Sequence, residues 1–87
     1  MMNHGDQILT LTAAQEHTQE RMPVESIILR GTAAGVFDVT FGNTELLINN
    51  SANELMVQLA MNRSVNYIRL NSGPTNARMY VLLEKKR

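Results

Sequence analysis

Arg63, Tyr67, Arg69, Arg78 and Tyr80 are the grouping whose side chains could do chemistry on a partner. If 65–70 and 77–83 are extended and pair as a hairpin, alternation turns Ile68, Leu70, Met79 and Val81 inward. Tyr67, Arg69, Arg78 and Tyr80 then share the outward face. Tyrosine and arginine side by side are the material of protein-interface hot spots and of stacking platforms for single-stranded nucleic acid. Eight basic and eight acidic residues cancel to a formal charge of zero, so no broad field attracts a phosphate backbone, and a protein contact fits better than nucleic acid. An ordinary solvated sheet face covered by two tyrosines is the simpler account of the same residues.

Catalytic chemistry finds no comparable grouping. Glu16 with Glu20, and Glu25 with Asp38, read as scattered acids on polar faces. His17 stands in a polar stretch without a serine or cysteine at a spacing that suggests a nucleophile and base. Two histidines and no cysteine do not make a metal-ligand set. Gly31 and Gly35 flank two alanines with no helix following, which makes them turn glycines and not a phosphate cradle. The expectation is a protein that is not an enzyme, with no cofactor, no metal and no catalytic residues.

The elements that must position these residues are short strands. Phe37, Val39 and Phe41 alternate with Val36, Asp38 and Thr40, the period of a half-buried strand. Gly42-Asn43 then separates that strand from Leu46-Leu47-Ile48, a two-residue loop that signals a tight hairpin with a primed turn. Residues 7–12 and 24–29 supply two further strands, and 65–70 and 77–83 two more, parted by the turn-rich Asn71-Ser-Gly-Pro-Thr-Asn76. Ala77, Met79, Val81 and Leu83 form the expected inward row of the last strand. The polar stretch 13–22 lacks an apolar stripe and reads as an exposed loop closed by Pro23. Residues 51–63 fit two periods. Ser51-Ala-Asn-Glu54 spells a capping box ahead of good helix formers, yet Leu55, Val57, Leu59 and Met61 also alternate as a strand does.

Turn clusters recurring every eight to twelve residues point to an all-β fold, a small antiparallel sandwich or flattened barrel of six to eight strands. The alternative is an α+β fold with one helix at 51–63 on an antiparallel sheet. Residues 1–6 read as a flexible tip, 7–87 as a single domain and 84–87 as a solvated tail. No apolar run approaches the roughly 20 residues of a membrane-spanning helix, and the first residues lack a secretory pattern, so synthesis in the cytoplasm without membrane attachment is expected.

Ile8-Leu-Thr-Leu-Thr12, Ser26 to Thr40, Ile68-Arg-Leu70 and Ala77-Arg-Met-Tyr-Val81 together resemble small β-sandwich structural proteins of tailed bacteriophages, of the decoration, cement and accessory virion kinds. The likeness is one of texture over most of the chain from residue 7, without a diagnostic motif. It implies a strand where 54–61 is ambiguous. It also implies a virion component, made in a bacterial host, that binds a repeating surface of capsid or tail proteins. A small binding module for nucleic acid or a host regulator, working through the Tyr-Arg face, is the rival expectation.

Adjacent apolar pairs add an expectation of their own. Ile27-Ile28 and Leu46-Leu47 cannot both point into one core when alternate side chains take opposite faces. A domain this small, without cysteine to staple it, therefore leaves some of Ile27, Ile28, Leu46, Leu47, Met56 and Leu82 for a contact with another copy or a shell protein, with Ile28 and Leu47 taken as the positions to test. The expected interface residues are thus Tyr67, Arg69, Arg78, Tyr80, Ile28 and Leu47.

Overall fold

A computed structural model describes residues 7–50 and 56–84. The expectations for 1–6, 51–55 and 85–87 lie outside the described residues. Among the described residues six antiparallel strands form one sheet: β1 (Gln7–Thr12), β2 (Gln15–Arg30), β3 (Gly35–Phe41), β4 (Thr44–Asn50), β5 (Met56–Ser72) and β6 (Arg78–Leu83). Their spatial order is β1-β6-β2-β5-β3-β4. The all-β expectation holds, and the helix alternative fails over 56–63, which is strand.

β2 and β5 are the two long strands, of 16 and 17 residues, and they pair along their lengths with two interruptions. Between the pairs Thr18↔Tyr67 and Met22↔Val65, three residues of β2 face the single Asn66. Arg21 there takes a positive φ of 52°, and its backbone N–H donates to Asn66 Oδ1 at 2.8 Å. Between Val24↔Arg63 and Ser26↔Ala60, Met61 and Asn62 face Glu25, with Asn62 at φ 52°. Bulges of this kind bend the strand and sharpen its twist. Pro23, lacking an N–H for the ladder, falls between the two bulges, where a proline is tolerated. The bend divides the sheet: β6 and β1 flank the second half of β2, while β3 and β4 flank the second half of β5.

The sheet thereby wraps one core. Phe37, Val39 and Phe41 of β3 meet Ile68 and Leu70 of β5, Val24, Ile27 and Leu29 of β2, and Met79 and Val81 of β6 in a single buried cluster. The inward rows expected for β3 and β6 are the rows observed. Two turns close one end over Phe37. A Cβ on Gly73 would lie 3.2 Å from the Phe37 ring and 2.6 Å from Ala77 Cβ, so the turn approaches too closely for any other residue. Thr32 ties the turns together, its N–H donating to the Thr75 carbonyl at 2.9 Å.

Two expectations need correction. Of the stretch 13–22 expected as an exposed loop, 15–21 are the first half of β2 and are exposed apart from the partly buried His17, while Met22 is fully buried. The backbone of 15–18 pairs with 67–70 of β5, and strand pairing by the main chain needs no apolar stripe. Likewise 54–61 and 65–70 are not separate strands: from Met56 they run on as β5, because Asn62 absorbs the irregularity as a bulge instead of starting a turn.

Candidate docking surface

The hairpin expected between 65–70 and 77–83 does not exist, because β2 lies between β5 and β6. The five residues 73–77 connect β5 to β6 without making the two strands neighbours, which leaves β6 to pair with β1 and β2. Tyr67 and Arg69 therefore share no ladder with Arg78 and Tyr80. Each pair acquires different neighbours.

Tyr67 and Arg69 join a polar face on β2, β5, β3 and β4. Tyr67 Oη donates to Glu16 Oε1 at 2.8 Å, and the Arg69 guanidinium meets the same oxygen at 3.3 Å. Both partners of that ion pair are substantially solvated, so it adds little stability. The Asn71 side-chain amide donates to Asp38 Oδ1 at 3.1 Å and to Thr40 Oγ1 at 2.8 Å. Glu45 lies diagonally across the hairpin from Asp38, and its carboxyl is held above the ordinary carboxylate range. Hydrogen bonding with Asp38 is the main cause, followed by the repulsion of the Asp38 charge and by partial desolvation. This carboxyl pair was not foreseen, although the two-residue Gly42-Asn43 loop fixes the register that makes it. The polar groups of this face are largely occupied with one another.

Arg78 and Tyr80 belong to the outer face of β1, β6 and the second half of β2, where the register sets out three rows. Ile8, Leu82, Ser26 and Ala60 are cross-strand neighbours in the first. Thr10, Tyr80, Ile28 and Gln58 follow in the second. Thr12, Arg78 and Arg30 lie in the third. No carboxylate and no lysine stands in these rows. Ile8 is 64% exposed, and Ile28, Tyr80 and Leu82 are half-buried. Arg30 and Arg78 face each other directly, with no acidic partner among the described residues. With Gly31, Thr32, Asn76 and Tyr80 they line an open depression of about 340 Å³. Asn76 Nδ2 donates to Thr32 Oγ1 at 3.1 Å and so ties together two of the residues that line it.

Of the remaining foreseen positions, Ile28 lies in the middle of this face, while Leu47 is 68% exposed on β4. Ile27 and Leu46 take the inward sides of their pairs, Ile27 fully buried and Leu46 packed against the core. His17 hydrogen-bonds Gln19 at 3.1 Å, and Arg63 places its guanidinium carbon 5.8 Å from the centre of the Phe41 ring. Arg30 and Ile8 were missed from sequence because only the β2–β6 and β1–β6 registers bring them beside Arg78, Tyr80 and Leu82. The chain matches no protein-family model, no curated protein and no solved structure.

Proposed function

We propose that this is a non-enzymatic structural protein of a phage-like particle that docks on a repeating protein surface through the outer face of β1, β6 and β2. The observation that supports the reading is the make-up of that face. An apolar centre of Ile8, Ile28, Tyr80 and Leu82 is bordered on one side by Arg30 and Arg78 and contains neither acids nor lysines. Interface cores are depleted in lysine and carboxylates and enriched in tyrosine and arginine, and the best anchors are aromatic or guanidinium groups in a water-excluding surround. The facing surface would present an acidic group to the arginines and apolar side chains to the rest. The likeness of strand texture to accessory virion proteins is what directs the reading to a shell or tail.

Gene order gives the first test: a place beside capsid, portal or tail genes supports the reading, and a place among early regulatory genes removes it. Co-sedimentation with particles assembled from the neighbouring shell protein gives the second. Tyr80→Ala and Arg78→Glu should each abolish binding, whereas Glu16→Ala on the other face should not. Tight, salt-sensitive binding of single-stranded DNA, lost in the same variants, would replace the docking reading with the nucleic-acid one.

A further inference from the structure

β4 ends the sheet, and its outer side has no strand partner among the described residues. The two-residue Gly42-Asn43 loop makes Phe41 and Thr44 a hydrogen-bonded pair, with Gly42 at φ 67° as a primed turn requires at its first position. Antiparallel alternation then directs the N–H and C=O of Thr44, Leu46, Ile48 and Asn50 to β3, and those of Glu45, Leu47 and Asn49 outward. Sheet edges are commonly guarded by lysine, proline, a bulge or a covering segment. β4 contains no lysine and no proline, and its pairing with β3 has no bulge. β1, at the opposite end of the sheet, differs, because His17 and Gln19 of β2 stand beside its Ile8 and Leu9.

We infer that β4 pairs with β4 of a second copy, antiparallel across a two-fold axis at Leu47, so that the sheet continues from one copy into the next. The strand suits this because Leu46 and Ile48 stand symmetrically about Leu47, and the acid Glu45 stands as far from it on one side as the amide Asn49 on the other. In the centred register Leu47 faces Leu47 of the second copy, Glu45 faces Asn49, and Leu46 faces Ile48. Every outward N–H then meets an outward C=O, and the Asn49 amide can donate to the Glu45 carboxylate. Sliding the strands until Glu45 faces Glu45 would oppose like charges and shorten the overlap. Leu46 and Ile48 already pack against the core, and the match extends their apolar row into the partner while covering the exposed Leu47. The contact is separate from the docking face on β1, β6 and β2, so either can fail without the other.

Because the chain has no cysteine, single thiols report the register directly. Opposed hydrogen-bonded residues have Cα atoms about 5.5 Å apart, within disulfide reach. Leu47→Cys should give a disulfide-linked dimer under mild oxidation. Glu45→Cys alone and Asn49→Cys alone should not, since each thiol lies roughly 13 Å out of register with its own copy at about 3.3 Å per residue, but the two variants mixed should cross-link. Sedimentation equilibrium of the parent chain at micromolar concentration should show a dimer. Asn49→Pro removes only an outward N–H, so it should shift that equilibrium to monomer while the far-ultraviolet circular dichroism stays unchanged. A parent that stays monomeric, or cross-linking of Leu47→Cys no stronger than that of Ile8→Cys, overturns the inference.

Discussion

Arg30 of β2 and Arg78 of β6 are direct cross-strand partners, and neither makes an ion pair among the described residues. Opposed like charges on a sheet are destabilising, so the pair lowers the stability of the free chain in exchange for a concentrated positive site. Arg78→Thr should therefore stabilise the isolated protein by about 0.2–1 kcal/mol, seen as a higher urea midpoint at unchanged slope. The same variant should lose affinity for the docked surface. A lower midpoint would mean that the arginine stem contributes more by packing than its charge costs.

Ile27 and Ile28 are a second informative pair, identical in chemistry and opposite in environment. Ile27 is fully buried against Val81 and Leu59 in its row, whereas Ile28 is half-buried beside Tyr80 on the outer face. Ile27→Ala should cost about 2–5 kcal/mol through lost transfer energy and the cavity left behind. Ile28→Ala should cost less, about 1–2 kcal/mol, since part of its area stays in water and its removal leaves no enclosed cavity. Urea unfolding of the two variants side by side tests the facing, and equal losses would contradict it.

That facing was legible in the sequence wherever a strand is amphipathic. Phe37-Val39-Phe41 and Ala77-Met79-Val81-Leu83 alternate cleanly, and their inward rows are the observed core. The Gly42-Asn43 hairpin followed from turn chemistry, and the splitting of Ile27-Ile28 and Leu46-Leu47 from period two. Strand pairing at long range was not legible. Residues 15–21 carry no apolar row, so nothing local announces that the backbone of 15–18 pairs with 67–70. The Tyr-Arg grouping failed for the same reason: nearness in sequence suggested that 65–70 and 77–83 are partners, but β2 separates them. Arg30 and Arg78, far apart in the chain, meet only through register.

Asp38 and Glu45 supply a pH dependence whose sign follows from the direction of the shift. Glu45 titrates above its ordinary range in the folded chain, chiefly because its protonated carboxyl hydrogen-bonds with Asp38. The folded state thus holds that proton more tightly than the unfolded state does. The resulting stabilisation is complete below the ordinary carboxylate value and fades as pH rises through the raised folded value. Glu45→Gln keeps a donor for Asp38 and removes the titration. Because Glu45 also sits on the β4 edge, the comparison belongs in the Asn49→Pro background, where association does not contribute. Relative to the Gln variant, the parent's thermal midpoint should drop progressively as pH is raised from about 4 to about 7, starting near the ordinary glutamate value. A difference that stays constant across that range, or one that grows in the parent's favour toward neutral pH, would rule out the shared proton between Asp38 and Glu45.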